Sequence, residues 1–179
     1  MENQRIRLSK AMLKNALMGL LKEKPIEKIS VYELCAAAQI NRTTFYKYYG
    51  SQYELLTDAE NDYFHKLEDV LSENASDGRD SLCRVLEALL ADEAAFMTLT
   101  GSLPDRDFSD KLFSLPAIRM QFDMAIPDAF TDRERAHLRV FFYQGGYALI
   151  REWLGSGEAR ESPRVMADFL YGIIRKLMQ

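Results

Sequence analysis

The stretch SVYELCAAAQINRTTFYKYYGSQYELL, residues 30–56, holds the clearest helix signals in the chain. Ser30 followed by Glu33 is a capping box, in which the hydroxyl accepts the N–H of the third helical residue and the carboxylate accepts the N–H of Ser30. After the short break AQI, the side chain of Asn41 can cap a second helix over residues 42–48. The stretch therefore predicts two short helices joined by a tight turn.

Longer helices are expected on both sides of this pair. Gly50 is expected to end the second short helix, and the SQYE capping box after it opens a long helix over residues 51–74. Upstream, apolar residues recur at helical spacing over residues 6–22, and Pro25 stops that helix. These elements predict a three-helix N-terminal unit that a long fourth helix joins to the rest of the chain.

The remainder of the chain is also predicted to be helical. Apolar residues recur at helical spacing, and no stretch shows the sustained alternation of a strand. Thr131 with Glu134 is a third capping box, and Ser162 before Pro163 is an N-cap with proline at the first helical position. The predicted helices cover residues 80–91, 93–100, 107–125 with a break or kink at Pro116, 132–154 and 163–178. The predicted fold class is all-α.

Charge is divided unevenly along the chain. The formal net charge is -4, yet residues 1–50 hold nine Lys/Arg and four Asp/Glu, while residues 51–179 hold fourteen and twenty-three. Positive charge concentrated in one segment is typical of a module that faces a polyanion, attached here to an acidic body. A solvated basic face would give the same balance, so charge alone leaves both interpretations open.

Several functional classes find no support in the sequence. No apolar run is long enough to span a bilayer, and the polar N-terminus lacks the apolar core of a signal peptide, so we expect a cytoplasmic protein. Cys35 and Cys83 lie far apart in apolar helical contexts, with His65 and His137 as the only other soft ligands. We expect two buried thiols, no metal, no cofactor and no enzymatic activity.

The second short helix carries side chains suited to DNA. A helix-turn-helix places one helix in the major groove, where Arg42 can bind a guanine edge in bidentate fashion. Thr43 and Thr44 can contact a thymine methyl group or a phosphate. Tyr46 can donate to a phosphate oxygen, and Lys47 can neutralise its charge. The helix is therefore a candidate recognition helix.

The aromatic residues of this helix also admit a purely structural interpretation, in which they pack a small core. For Phe45 and Tyr49 we expect core packing against the two preceding helices. For Tyr46 we expect a phosphate contact. Tyr48 stays open between the two.

Residues 6–56 resemble the DNA-binding domain of the TetR/AcrR family of transcriptional regulators. The resemblance rests on the spacing of KISVYELCAAAQINRTTFYKYYGSQYELL, including Thr44, Tyr46, Tyr49 and the ELL that begins at Glu54. The later segment FFYQGGYALIREWLGSG, followed by a terminal helix that starts with Ser-Pro, resembles the smaller C-terminal domains of the family. The implied organisation is a DNA-binding domain over residues 1–50 and a helical dimerisation and effector-binding domain over residues 51–179.

Two positions depart from the family pattern. Family members usually carry glycine in the turn where this chain has Gln39, and a left-handed backbone there would cost a non-glycine residue about 1 kcal/mol. They usually carry a phosphate-binding lysine where this chain has Gln52. The Gln52 amide or the backbone N–H groups at the start of the long helix are the expected substitutes.

The resemblance also assigns contacts with the sugar-phosphate backbone to the start of the first short helix. Arg5 and Arg7 can reach DNA as well, although solvent exposure explains them equally. The predicted DNA-binding residues are Ser30, Val31, Tyr32, Asn41, Arg42, Thr43, Thr44, Tyr46, Lys47, Tyr48 and Gln52.

A dimer is expected because one recognition helix makes too few contacts for selectivity, and helix-turn-helix proteins pair across a two-fold axis. The terminal helix is apolar on two faces, with Val165, Phe169 and Ile173 on one face. Two adjacent glycines in the preceding helix favour close helix approach. The predicted interface is a four-helix arrangement made of Gly145, Gly146, Leu149, Trp153, Val165, Phe169, Leu170, Ile173 and Leu177.

The family resemblance further implies a small-molecule pocket among the middle helices, whose occupant shifts the population that can bind an operator. The same residues would serve as ordinary core, and both interpretations stay open. The predicted wall residues are Tyr63, Phe64, Leu67, Leu86, Met97, Phe113, Met120, Phe142, Tyr143 and Tyr147.

Two functions of different classes follow. The first is a homodimeric repressor that binds a palindromic operator and is released by a small molecule. The second is a helical adaptor or co-activator-dependent activator, whose acidic body binds a partner protein.

Overall fold

The computed structural model describes residues 4–71, 78–101, 105–116, 118, 119, 123, 126, 127 and 129–177. Two 3₁₀ turns, Ile26–Lys28 and Gly157–Ala159, accompany the α-helices, and these ranges contain no strand. The all-α prediction is confirmed. The helices are α1 Gln4–Leu21, α2 Val31–Ala38, α3 Arg42–Tyr48, α4 Gln52–Leu71, α5 Gly78–Ala91, α6 Glu93–Thr100, α7 Asp105–Ser114, α8 Asp132–Gly155 and α9 Pro163–Leu177.

The predicted helix starts of α2 and α3 are confirmed in atomic detail. The Glu33 N–H donates to the Ser30 hydroxyl at 3.2 Å, and the Ser30 N–H donates to the Glu33 carboxylate at 3.0 Å. The Thr44 N–H donates to the Asn41 side chain at 2.7 Å. These contacts satisfy backbone donors that have no partner within the helix, so short local signals set where each helix begins.

The later helix starts follow the same rule. Thr131 and Glu134 form a complete capping box at the start of α8. At the start of α9, the Val165 N–H donates to the Ser162 hydroxyl at 3.4 Å.

The ends of α3 and α7 can be compared with the predicted ends. The helix α3 ends at Tyr48, as predicted, but it is Tyr49, whose backbone is already extended, that ends it and not Gly50. The Glu54 carboxylate then accepts the Gly50 N–H at 2.7 Å, while the Glu54 N–H donates to the Ser51 hydroxyl at 3.3 Å. The helix α7 ends at Ser114, two residues before Pro116, so the break predicted at this proline is confirmed.

The chain divides into two compact units, Met1–Tyr63 with Ala94–Pro104, and Phe64–Glu93 with Asp105–Gln179. In the first unit α2 packs against both α1 and α3. Its fully buried side chains include Leu13, Leu17, Ile26, Leu34, Phe45, Leu55 and Phe96.

The second unit is built on two helix pairs, α5 with α9 and α7 with α8. The ion pairs Arg79–Asp168 and Arg164–Asp80 join α5 to α9, and Gln144 donates to the buried Ser109 hydroxyl between α8 and α7 at 2.9 Å. The buried side chains of this unit include Phe64, Leu86, Leu89, Phe108, Leu112, Tyr147, Ile150, Trp153, Leu154, Met166 and Leu170.

Both cysteines are buried and not disulfide-bonded, and burial raises the pKa of each thiol. Such thiols behave as small apolar side chains. Within the described ranges, no helix combines the length and apolar character that a bilayer span requires.

The turn between α2 and α3 has a left-handed backbone at Gln39, the position at which the family pattern usually has glycine. Gln39 has φ 54° and ψ 38°, and its N–H donates to the carbonyl oxygens of Ala36 and Cys35. A side chain at this backbone conformation costs about 1 kcal/mol.

We expect Gln39→Gly to raise the free energy of unfolding by up to about 1 kcal/mol, less a small loss from the greater freedom of glycine in the unfolded chain. Urea unfolding would measure the change. Gln39→Ala is the matched control, because alanine keeps the Cβ and should give no gain. A gain with alanine as large as that with glycine would contradict backbone strain as the cause.

Candidate nucleic-acid interface

The helix α3 is anchored to the first unit by its aromatic residues. Phe45 is completely buried, and its ring lies 5.8 Å from that of Tyr49, which is also buried. The structural interpretation of these two residues is therefore confirmed. Full burial of one phenylalanine stabilises the fold by about 2 to 3 kcal/mol, which is ample for holding a helix of two turns in place.

A polar network fixes the end of α3 against α4 and α1. The Tyr49 hydroxyl donates to the Asp58 carboxylate at 2.6 Å, and the Lys14 ammonium reaches Asp58 at 2.9 Å and Asp62 at 2.6 Å. Burial alone would raise the pKa of Asp58, but the hydrogen bonds from Tyr49 and Lys14 outweigh it and hold this pKa below its usual value. Burial likewise acts to lower the pKa of Lys14, and the bonds to Asp62 and Asp58 raise it on balance. The carboxylate and the ammonium therefore both stay charged at neutral pH.

The opposite face of α3 presents cations and hydroxyl groups to solvent. Arg42, Thr43 and Lys47 are exposed, and Tyr46 is 50% exposed. The Arg42 guanidinium lies 5.9 Å from the centre of the Tyr46 ring. This cation–π contact holds the guanidinium in place without using its N–H groups in a hydrogen bond to a carboxylate. Thr44 and Tyr48 are half-buried, with Thr44 adjoining the Asn41 cap.

The N-terminus of α2 adds a second group of exposed residues. Ser30 and Tyr32 are exposed, and Val31 is half-buried. Glu33 forms an ion pair with Lys24, which ties the start of α2 to the segment after α1. Gln52, in the first turn of α4, is half-buried, and Arg5 and Arg7 are exposed at the start of α1.

The carboxylate of Glu33 gives this region a measurable pH dependence. The hydrogen bonds from the Lys24 ammonium and from the backbone and hydroxyl of Ser30 lower its pKa to about 2. A folded-state pKa below the unfolded value stabilises the protein above the unfolded pKa, and this contribution disappears as pH falls towards the folded pKa.

Glu33→Gln should therefore be less stable than the unmodified chain at neutral pH, and the difference should shrink between about pH 4.5 and pH 2, where the carboxylate becomes protonated. Unfolding by denaturant at a series of pH values would measure it. Glu27→Gln, on an exposed carboxylate in the adjacent 3₁₀ turn, is the control and should show no such trend. A constant difference across the whole pH range would show that the charge of Glu33 does not contribute.

The chain resembles known proteins in its fold. No family model matches the sequence, and no curated protein matches it. Among solved structures, the TetR transcriptional regulator from Streptococcus agalactiae 2603V matches with a TM-score of 0.76 at 21% identity, over 96% of this chain and 96% of that chain. The chain has the TetR regulator fold.

Two further solved structures are similar in fold to this chain. A protein of Pseudomonas aeruginosa PAO1 that has been provisionally named a transcriptional regulator has a TM-score of 0.62 at 18% identity, covering 98% of this chain and 96% of that chain. The dihydroxyacetone kinase operon activator DhaS has a TM-score of 0.55 at 17% identity, covering 95% and 96%. The fold expected from residues 6–56 and from the C-terminal segment is therefore confirmed over nearly the whole chain.

Within the TetR fold, the predicted pocket residues fall in both compact units. Tyr63 and Met97 lie in the first unit, and Met120 lies outside the described residues. In the second unit the rings of Phe113 and Tyr143 stack at 4.6 Å. Buried residues of the predicted wall in this unit are Phe64, Leu67, Leu86 and Tyr147, and Phe113, Phe142 and Tyr143 are half-buried.

A residue absent from the sequence prediction completes the aromatic cluster of the second unit. The ring of Phe108 lies 4.9 Å from that of Phe64 and 6.3 Å from that of Tyr147. The sequence signal that could have identified Phe108 as a core residue is its four-residue spacing from Leu112 on α7.

The predicted dimer residues separate into buried and exposed groups. Trp153 and Leu170 are buried within their own unit, where the Trp153 indole N–H donates to the Glu161 carbonyl oxygen at 2.9 Å. Val165 and Phe169 are more than half exposed. Leu149 and Ile173 are half-buried, and the side chain of Leu177 lies outside the described part of the chain.

The two adjacent glycines of α8, Gly145 and Gly146, have different surroundings. A Cβ on Gly146 would meet the Phe113 ring at 3.5 Å, so this glycine lies at the packed contact between α8 and α7. A Cβ on Gly145 would meet no atom within 4 Å. Only Gly145 therefore lies on an open side of the helix.

Proposed function

We propose that the chain is a homodimeric DNA-binding transcriptional regulator of the cytoplasm, which inserts α3 into the major groove of duplex DNA. The observation that carries this proposal is the division of α3, with Phe45 completely buried and Arg42, Tyr46 and Lys47 on the solvent side. A helix that merely completed a core would have no need of cations and hydroxyl groups on its free face.

The predicted DNA-binding residues, whether exposed or half-buried, have roles that follow from their chemistry and from the family resemblance. Arg42 is at the N-terminal end of α3, the end that contacts base edges in helix-turn-helix proteins. Its guanidinium can donate two parallel hydrogen bonds to O6 and N7 of guanine. Tyr46 and Lys47 bind phosphate, and Thr43 and Thr44 contact a base edge or the backbone. Ser30, Val31 and Tyr32 lie against the sugar-phosphate chain, with Asn41, Tyr48 and Gln52 at the margins of the contact.

Because the proposed partner, duplex DNA, is a polyanion, we expect the affinity of the protein for DNA to depend on salt concentration. Each phosphate that the protein neutralises releases counterions, so the logarithm of the association constant should fall linearly with the logarithm of salt concentration. Titration of a fluorescent duplex between about 50 and 200 mM salt would measure the slope. An affinity independent of salt would contradict the proposal.

The proposed regulatory mode is repression that a small molecule relieves. The aromatic cluster of the second unit, with Phe113 stacked on Tyr143 and Phe64 near Phe108, offers the apolar and aromatic lining that small-molecule sites use. A molecule that binds the DNA-incompetent state more tightly would release the operator.

Activation through a partner protein is the second candidate. The observation that favours it is the fold shared with a protein named as an operon activator, DhaS. In vitro transcription from a DNA site that the protein selects from a random pool separates the two candidates. A repressor lowers transcript yield by itself, whereas a partner-dependent activator leaves it unchanged until cell extract is added.

The proposed homodimer uses the exposed apolar face of α8 and α9. Val165 is 53% exposed and Phe169 54% exposed on α9, next to the half-buried Leu149 of α8. A two-fold pairing of these faces would remove this apolar surface from water and set two copies of α3 on one duplex.

Phe169→Glu should convert the dimer to monomer at micromolar concentration, because it places a charge in the contact that is meant to exclude water. Sedimentation velocity would measure the mass. Arg175→Glu, on an exposed position of the same helix, is the control and should stay dimeric. If Phe169→Glu sediments as an unchanged dimer, the interface lies elsewhere.

A further inference from the structure

The candidate recognition helix α3 is held in the first unit by one buried side chain of its own. Within α3, which the structure describes completely, Phe45 is the one buried residue, and it lies at the middle of the helix. Apolar burial is non-directional, so this contact keeps α3 in place without setting its rotation about the Phe45 side chain. A binding surface needs its side chains held within about 0.5 Å and 10–20° of the productive geometry. Alignment of Arg42 and Lys47 with DNA therefore requires a second, directional contact.

The Tyr49 side chain supplies a directional contact at the end of α3. Its hydroxyl donates to the Asp58 carboxylate at 2.6 Å, and a hydrogen bond to a charged acceptor is roughly twice as strong as one between neutral groups. Only residues 49–51 connect α3 to α4, whereas Asp58 lies about 9 Å along the axis of α4 from its first residue. The phenol thus ties the end of α3 to a point two turns into α4.

The Asp58 carboxylate is itself held by α1. The side chain of Lys14 is 15% exposed, and its ammonium reaches Asp58 at 2.9 Å and Asp62, one turn further along α4, at 2.6 Å. The ammonium of Lys10, one turn earlier on α1, also attracts Asp58. Because Asp58 belongs to α4 and is bound by a cation of α1, two helices determine the place of the acceptor that Tyr49 meets.

We infer that Asp58 is a positioning residue for α3, which acts through the Tyr49 hydroxyl and sets the orientation of the base-contacting residues without touching DNA. For its effect on DNA, this role rests on the proposed function. A carboxylate repels phosphate, so Asp58 is not expected to contact the duplex itself. Base contacts depend on alignment, whereas attraction between charges acts over about 10 Å at 0.1 M salt. Loss of the alignment should therefore lower base preference more than the overall attraction for DNA.

Tyr49→Phe keeps the buried ring and removes the hydroxyl. We expect it to lower the ratio of cognate to random duplex affinity about tenfold, with binding to random duplex unchanged within about twofold. Asp58→Asn should lower this ratio by a similar factor, because a neutral amide attracts the phenol and the Lys14 ammonium less strongly. Fluorescence titration would measure both constants, with a duplex that the protein selects from a random pool as the cognate site.

Asp62→Asn is the matched control for Asp58→Asn. It changes the net charge by the same amount and removes one contact of Lys14, but it leaves the bond between Tyr49 and Asp58 in place. Its affinity ratio should stay within about twofold of that of the unmodified chain. A ratio lowered as far as in Asp58→Asn would make the effect one of charge and would overturn the positioning role.

The double variant Tyr49→Phe/Asp58→Asn tests whether the two residues act through one bond. Its affinity ratio should fall no further than that of the more affected single variant, because both changes break the same contact. Losses that multiply would show that the residues act separately and would overturn the positioning role. A purely stabilising role predicts a lower urea midpoint for the single variants with an unchanged affinity ratio, and that result would overturn it as well.

Hydrogen exchange of the backbone amides gives a readout that needs no DNA. Tyr49→Phe should speed exchange of the Tyr46–Tyr49 amides about tenfold relative to those of α2, because the end of α3 loses a hydrogen bond to a charged group. If the unmodified chain shows no preference among duplexes, the proposed function fails, and faster exchange in the variant would still support the alignment of α3 by Asp58. Unchanged exchange in α3 would overturn the positioning role and leave the proposed DNA binding standing.

Discussion

Phe45→Ala is expected to lower the free energy of unfolding by about 3 to 5 kcal/mol and to abolish DNA binding. The ring is completely buried in the first unit and lies 5.8 Å from the ring of Tyr49, so its removal leaves a cavity under α3. A loss of this size is a large fraction of the stability of a typical domain. Thermal and urea unfolding, with helix content followed by circular dichroism, would measure it.

Tyr46→Ala is the matched control for Phe45→Ala, because the two aromatic residues are adjacent and only one is buried. Tyr46 is half exposed, so its removal should cost under about 1 kcal/mol of stability while weakening DNA binding through the lost phosphate contact. If Tyr46→Ala destabilises the protein as strongly as Phe45→Ala, the exposed ring is structural and its proposed role fails.

Arg42→Ala should remove base preference at one position of each half-site. A bidentate contact from arginine to guanine discriminates by about 1 to 3 kcal/mol, so the variant should bind cognate DNA roughly ten- to a hundredfold more weakly while binding to random duplex changes less. Fluorescence titration with cognate and random duplexes at one salt concentration would measure both constants.

Lys47→Ala is the control for Arg42→Ala, since both remove one exposed cation from α3. Loss of a phosphate contact should weaken cognate and random duplexes alike and reduce the salt slope by about one. An equal loss on both duplexes with Arg42→Ala would assign this arginine to the backbone and would leave base reading to other residues.

Helix starts were predictable because their signals are local. The Ser30, Asn41 and Thr131 caps each act on an N–H group three residues along the chain, so the sequence alone contains both partners. At Gln39 only the family resemblance, which has glycine at this position, drew attention to a left-handed conformation; the residue itself carries no such signal. These local features specify the first unit well enough to identify the candidate recognition helix.

The exposure of individual apolar residues on α8 and α9 was not predictable to the same degree. The sequence contains Phe141, Phe142 and Tyr143 in succession, and only packing decides that the first points to solvent while the other two are half-buried. Trp153 and Phe169 likewise occupy apolar positions, yet one is buried and the other exposed. Which face of a helix is covered depends on contacts distant in sequence, and single-sequence periodicity does not contain them.

The hydrogen bonds of Arg160 to backbone carbonyl oxygens were also not predictable from the sequence. This guanidinium binds the Glu93 carboxylate in bidentate fashion at 2.9 Å and also donates to the Trp153 carbonyl oxygen at 3.1 Å. It thereby satisfies backbone acceptors at the end of α8, a role that charge patterning in a loop does not reveal.

Selection of bound duplexes from a random pool, followed by sequencing, tests the central claim most directly. If two copies of α3 read DNA across a two-fold axis, the selected sites should be inverted repeats whose half-site centres lie about one helical turn, or a multiple of it, apart. The same selection with Arg42→Ala should lose the preference for guanine at one position in each half-site while keeping the spacing. Recovery of no enriched sequence, or of enriched sites without two-fold symmetry, would contradict the account.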